Sequence, residues 1–187
     1  MLFRSEVCAQ KWGDLSEEGY GVSLLNDCKY GYSAEGNELC LTLLKCGAYP
    51  NEEADQGEHT FTYSLYPHKD SYKQGGTIRE AYLLNRPLIC MQAGGGGKLP
   101  AQYSLVSCDM ENIIIETVKK AEDGNGMIVR LYDAWGRKSN PTLKFGFAAR
   151  KISLCDLMEQ PLSEIGAGNE VTLRVNNYEI VSLLVEM

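Results

Sequence analysis

An all-β, antiparallel protein is the fold class that the sequence predicts. Three observations carry it: short runs rich in β-branched and aromatic residues, turn residues spaced between them, and a single stretch with helical signals. In the first half the runs are Tyr20 to Leu25, Lys29 to Tyr32, Glu38 to Leu44 and His59 to Tyr66, separated by Ser33-Ala34-Glu35-Gly36-Asn37 and Pro50-Asn51. In the last of these runs Phe61, Tyr63 and Leu65 alternate with Thr and Ser, which puts the large groups on one face of a strand and predicts that this face is buried. One short accessory helix is expected over Thr77 to Leu84. Thr77 and Glu80 have the spacing of a capping box, and Asn85-Arg86-Pro87 stops the helix.

The glycines of Ala93-Gly94-Gly95-Gly96-Gly97-Lys98-Leu99 cannot pack or hold a fixed backbone cheaply. They predict a linker at 94–99 between a domain at 1–93 and a second at 100–187. Beyond the linker come Tyr103 to Cys108, Asn112 to Lys120, Met127 to Asp133, Thr142 to Ala149, Val171 to Val175 and Glu179 to Val185. Short strands at turn-punctuated intervals predict a β-sandwich. Ala121-Glu122-Asp123-Gly124-Asn125-Gly126 holds both Asp-Gly and Asn-Gly, which supply the positive φ of a tight hairpin, so the flanking strands are expected to pair antiparallel.

Composition narrows the function. The 187 residues are 44% hydrophobic, enough for a real core, and 18 Lys and Arg against 25 Asp and Glu give a formal charge of −7. That surface repels phosphate backbones, so nucleic acid is not an expected partner. No run approaches the roughly 18 apolar residues that cross a bilayer, so no membrane partner is expected, and Met1 to Trp12 has no apolar core with a cleavage site, so the chain reads as cytoplasmic or as lacking its leader. The seven cysteines are odd in number and contain no C-x-x-C pair. They read as small buried hydrophobes kept reduced in cytosol.

The motifs that carry chemistry mostly fail. The glycine run has Gln92 where a phosphate loop needs its first glycine, and Leu99 where it needs Ser or Thr after Lys98. His59 and His68 lie nine residues apart along a predicted strand, too far for joint ligation, and read as surface or hinge positions. Carboxylates are plentiful, but spacing selects no acid–base pair. No catalytic residue and no metal ligand is therefore assigned, and the chain is expected to be inactive alone. The densest polar-aromatic cluster is Trp12 to Gly21 followed by Leu24 to Tyr32. An aromatic face stacks on a pyranose while carboxylates and amides bind its hydroxyls, which makes Trp12, Asp14, Asn26, Asp27, Lys29 and Tyr30 candidate sugar-contacting residues. Buried aromatics and a turn-forming Asn-Asp pair account for the same residues as scaffold, and both readings stay open at this point.

Glu6-Val7-Cys8-Ala9-Gln10-Lys11-Trp12-Gly13-Asp14-Leu15-Ser16-Glu17 and Tyr20-Gly21-Val22-Ser23-Leu24-Leu25-Asn26-Asp27-Cys28-Lys29-Tyr30-Gly31-Tyr32 resemble signature stretches of family 38 α-mannosidases. The likeness continues through Ala54 to His68, Ala81 to Leu88, Val118 to Gly124 and Ile128 to Tyr132, in order along nearly the whole chain. It is strongest to the cytosolic and vacuolar branch with its bacterial relatives.

The resemblance implies that 1–93 is the C-terminal part of the family's large β-sandwich, or supersandwich, and that 100–187 is a second, smaller C-terminal β-sandwich. It implies a parent polypeptide with N-terminal catalytic and helical domains as partners, retaining hydrolysis of α-mannosides, zinc in the parent, and catalytic residues and zinc ligands outside this chain. The candidate residues would then line the rim of a cleft that holds an α-mannoside oligosaccharide. Where close relatives usually carry arginine around the Leu41 strand, this chain has Cys40, Lys45 and Cys46, which puts any role of those arginines in doubt. The abrupt opening at Met1-Leu2-Phe3-Arg4 is that expected of a piece of a longer product, and an incomplete sandwich would expose apolar faces and self-associate. The alternative is a free-standing carbohydrate-binding β-sandwich module.

Overall fold

The structure is a computed structural model that describes residues 6–92, 94–98 and 100–187. The chain divides into two compact units, the first ending at Gln92. Both are antiparallel β assemblies, as the sequence predicts.

The first unit holds β1 (Val7–Cys8), β2 (Trp12–Glu17), β3 (Tyr20–Asn26), β4 (Gly31–Glu35), β5 (Glu38–Thr42), β6 (Tyr63–His68) and α1 (Thr77–Asn85). One three-stranded sheet runs β2-β3-β6 and another β1-β4-β5. Strand β2 has no run of β-formers, and Gly13 and Asp14 weaken its intrinsic preference. It forms because the β2–β3 hairpin pairs every residue from Trp12↔Leu25 to Glu17↔Tyr20. Gly19, at φ 86, supplies the turn that a side chain would strain.

Strand register decides which face α1 covers. Gly21 pairs with His68, Ser23 with Tyr66 and Leu25 with Ser64, so these residues share a face with Trp12 and Asp14 of β2. Helix α1 lies on this side, where Thr77 Oγ1 is 2.6 Å from Ser23 Oγ. The opposite face carries Leu15, Val22, Leu24 and Leu65. The expected burial of the Phe61, Tyr63 and Leu65 face is therefore corrected: Tyr63 is 56% and Leu65 68% exposed. Alternation identified the face but not which side the helix would cover. The capping box does not form either. Gly76 is the N-cap, in the left-handed region, and the Thr77 hydroxyl is spent on Ser23 rather than on the helix.

Two further expectations change. His68 is buried, held between Gly21 and Gly75, where an added Cβ would come within 2.3 Å and 2.5 Å of its ring. Five of the seven cysteines are exposed, Cys108 is intermediate and only Cys155 is buried. Cys8 and Cys40 lie on the outer strands of a small sheet, and Cys28, Cys46 and Cys90 lie outside any strand, where nothing packs over them.

The second unit holds β7 (Val106–Cys108), β8 (Ile113–Lys120), β9 (Met127–Asp133), β10 (Thr142–Cys155), β11 (Pro161–Thr172) and β12 (Ile180–Glu186), in the order β11-β10-β12-β9-β8 with β7 also on β10. The Asp-Gly and Asn-Gly connection closes the β8–β9 hairpin as expected. Strand β10 is longer than its apolar run. Its first half pairs with β7 and its second half with β12, and register shifts against β11 separate the two. Strand β11 was foreseen only at its end, because Gly166, Gly168 and polar residues fill it. An edge strand needs no buried face to pair. Val129, Leu131, Leu143, Ile152, Val175, Leu183 and Val185 are fully buried, and each such side chain contributes roughly 1.5–3 kcal/mol.

Candidate functional site

The first candidate cluster is built on the helix-covered face of β2-β3-β6. Asp14 Oδ1 accepts from Ser23 Oγ at 2.6 Å and from His68 Nε2 at 2.6 Å, and Ser23 Oγ meets Thr77 Oγ1 at the same distance. Asp14 and His68 side chains are 5% and 2% exposed. One carboxylate thus ties three strands and the helix together. Its capacity is spent internally, and the serine bonds the aspartate rather than the histidine, so no nucleophile–base pair is formed.

Trp12, two residues before Asp14 on the same face, is half-buried with its ring 5.1 Å from that of Tyr72. Lys73 Nζ lies 5.6 Å over the Tyr72 ring, and Lys11 Nζ 4.9 Å over Tyr82. Sequence reading singled out Trp12 alone. Its ring partner Tyr72 comes from the turn after β6, and Tyr82, the partner of Lys11, from α1, about 60 to 70 residues away in sequence, and only the lysine–aromatic adjacencies Lys11-Trp12 and Tyr72-Lys73 signal them.

The remaining candidates sit on the β3–β4 connection. Asn26 is buried: its amide donates to Tyr32 Oη, its Oδ1 accepts the Lys29 N–H at 2.6 Å, and its carbonyl accepts from Asn85 at 2.9 Å. Asp27 is exposed and exchanges bonds with Thr62, whose N–H reaches Oδ1 at 3.0 Å. That backbone bond, followed by the Cys28 side chain, holds the Asp27 carboxyl below its ordinary value. Lys29 Nζ lies 4.7 Å over the Phe61 ring, and Tyr30 is 53% exposed. Trp12 and Asp14 thus form one group, and Asn26, Asp27, Lys29 and Tyr30 a second. Asp14 and Asn26 face inward; Asp27 and Tyr30 face solvent.

A second built cluster, which sequence reading did not select, lies in the second unit around Asp133. It is 1% exposed and accepts from Asn112 at 2.8 Å and from the N–H groups of Arg137 and Tyr178, each at 2.9 Å. Burial pushes its carboxyl up, but the bonds from Asn112, Tyr178, Trp135 and Arg137 outweigh it and leave it below its ordinary value. Asp at a strand end followed by Gly136 was its only sequence signal.

Among the described residues no group of three His, Cys, Asp or Glu side chains is placed to hold a metal ion. His59 bonds the Asp55 carbonyl at 2.8 Å and His68 is committed to Asp14, so the residues present do not fit a zinc centre. No helix among the described residues is long and apolar enough to cross a membrane.

The comparisons with known proteins fall on both units. The model of the "Glycosyl hydrolases family 38 C-terminal domain" matches residues 2–53, and that of the "Glycosyl hydrolases family 38 C-terminal beta sandwich domain" matches residues 112–183. The chain belongs to the C-terminal region of glycosyl hydrolase family 38. Its relatives are α-mannosidases. The chain is 39% identical over 191 residues to alpha-mannosidase 2C1 of Homo sapiens, covering 97% of this chain and 18% of that protein. It is 36% identical over 185 residues to alpha-mannosidase G of Dictyostelium discoideum, covering 95% of this chain and 17% of that one. A crystal structure of an alpha-mannosidase from Enterococcus faecalis V583 superposes with a TM-score of 0.80 at 22% identity, over 99% of this chain and 22% of that chain, and shares the fold. The chain thus spans under a fifth of the length of the curated relatives it matches.

Proposed function

We propose that this chain is the non-catalytic C-terminal β portion of an α-mannosidase polypeptide. In that polypeptide, N-terminal catalytic and helical domains hydrolyse α-mannosides with zinc, and this portion supports them. The observation that carries the reading is the pair of family 38 C-terminal matches, one in each unit, within α-mannosidases about five times longer. The reading places 1–93 in the family's large β-sandwich and 100–187 in its small one, joined by 94–99. The apolar face of Leu15, Val22 and Leu65 suits packing against further chain of that enzyme. It also places the protein in the cytoplasm, consistent with seven free cysteines.

Within this reading Trp12, Asp27, Lys29 and Tyr30 border the cleft for an α-mannoside oligosaccharide, while Asp14 and Asn26 position them from below. Zinc, when bound by the parent, orients sugar hydroxyls and stabilises charge; none of its ligands is drawn from this chain. The test is to express the upstream catalytic portion with and without these 187 residues and assay an aryl α-mannoside. Activity is expected only with both present, and Trp12→Ala should raise KM roughly threefold to tenfold with kcat unchanged. Turnover by this chain alone, or an upstream portion that is fully active without it, would sink the reading.

A further inference from the structure

The loop pair at the Asp133 end of the second unit is built more firmly than its connections require. Residues 134–141 link β9 to β10, and 173–179 link β11 to β12. Ser139 and Val175 exchange two backbone bonds, at 3.0 Å and 2.9 Å, and the Asp133 N–H reaches the Glu179 carbonyl at 3.1 Å. Between these ties the buried Asp133 carboxylate takes N–H bonds from both loops, and Asn112 anchors it while also reaching Ser139 Oγ at 3.1 Å.

What this frame holds up is one side chain. Tyr178 sits at φ 56, a conformation that folding alone would fill with Gly or Asn. Its ring lies against Gly136, where a Cβ would come within 2.4 Å of Cζ, 2.5 Å of Oη and 2.7 Å of Cε2. The glycine therefore provides the seat, yet the residue is 67% exposed, so little of the ring's surface is buried in return. Arg137 and Lys138, the two residues after Gly136, are exposed, and the Asn177 amide donates to the Gly136 carbonyl. A strained backbone that presents an open aromatic among hydrogen-bond donors on a rigid loop pair is an arrangement made for a ligand rather than for a core.

We propose that this loop pair is a saccharide-binding platform, separate from the Trp12 and Tyr30 surfaces, on which the Tyr178 ring stacks against the apolar face of a pyranose while Arg137 and Lys138 donate to its hydroxyls. The neighbouring carboxylates are committed within the loops, Asp133 to backbone N–H groups and Glu179 to Asn176, so the platform binds and does not cleave. The choice of a sugar rests on the proposed place in a glycan-degrading enzyme; the existence of the platform does not.

The experiment titrates the ¹⁵N-labelled 187-residue chain with mannobiose. Saturable shifts are expected at the amides of Gly136, Arg137 and Tyr178, with a dissociation constant of roughly 1–10 mM. Tyr178→Asn keeps a residue that tolerates positive φ and removes only the ring. It should weaken binding by at least about fivefold and leave the strand resonances of the second unit in place. Unchanged affinity in this variant, or no shift at the three amides by about 50 mM, overturns the platform. Shifts confined to Trp12, Lys29 and Tyr30 also overturn it while supporting the rim reading, so the two fail separately.

Discussion

Asp133 is the residue on which the second unit's loops depend most. A carboxylate with 1% exposure is stable only because bonds from Asn112, Trp135, Arg137 and Tyr178 replace its water. In Asp133→Asn an NH2 group must face at least one of the N–H donors, and unfolding free energy is expected to fall by roughly 2–4 kcal/mol in urea titration. Its carboxyl lies below the ordinary 3.8 in the folded state. A group depressed on folding contributes stability that is present above its unfolded pKa and lost as pH falls through the folded one. The wild type should therefore lose stability more steeply than Asp133→Asn as pH drops below about 4. Residue roles were the least legible part of the sequence. Asp14 and Asp27 look alike on paper, yet Asp14 is buried against His68 and Asp27 sits at the surface on a backbone turn. Only partners more than 30 residues away decide between them.

At the scale of elements, most strands were legible because their apolar runs and turn residues agree, as in β3, β8, β9 and β12. Those missed have a shared cause: β1, β2 and most of β11 are held by pairing rather than by their own composition, so no local pattern marks them. Strand β6 shows a different limit. Its alternation separates two faces correctly, but the more polar one receives α1 through Ser23, Thr77 and His68, and Leu65 is left in an apolar trough of about 580 Å³ with Leu15, Val22 and Leu39. Leu65→Thr replaces a γ-branched residue with a β-branched one that suits a strand and removes exposed apolar surface. Stability is expected to change by no more than about 0.5 kcal/mol, while sedimentation velocity should show less self-association. A loss of 2 kcal/mol or more, on the order of a core truncation, would mean that the face is covered within this chain.

At the scale of the whole molecule the two units differ in how much core they own. Among the described residues, the buried hydrophobics of the first unit are Leu24, Leu25, Tyr32, Ile78 and Ala81, whereas one cluster of the second alone joins fourteen, from Ile113 to Val185. Buried apolar area offsets the chain entropy lost on folding, and a small domain with a thin core has little surplus. Hydrogen bonds around Asp14 and Asn26 position the first unit's strands but add only about 1 kcal/mol each, which does not replace a core. Calorimetry of the full chain should therefore show two transitions rather than one, the lower belonging to the first unit. Substitutions assign them: Val129→Ala should lower only the upper midpoint, and Leu25→Ala only the lower, each by several degrees. If the catalytic portion of an α-mannosidase packs on the first unit, adding it should raise the lower midpoint and leave the upper where it was, since binding stabilises only the part that makes the contact. A single transition that both substitutions shift alike would instead mean that the units fold as one body, and that the first draws its stability from the second rather than from a missing partner.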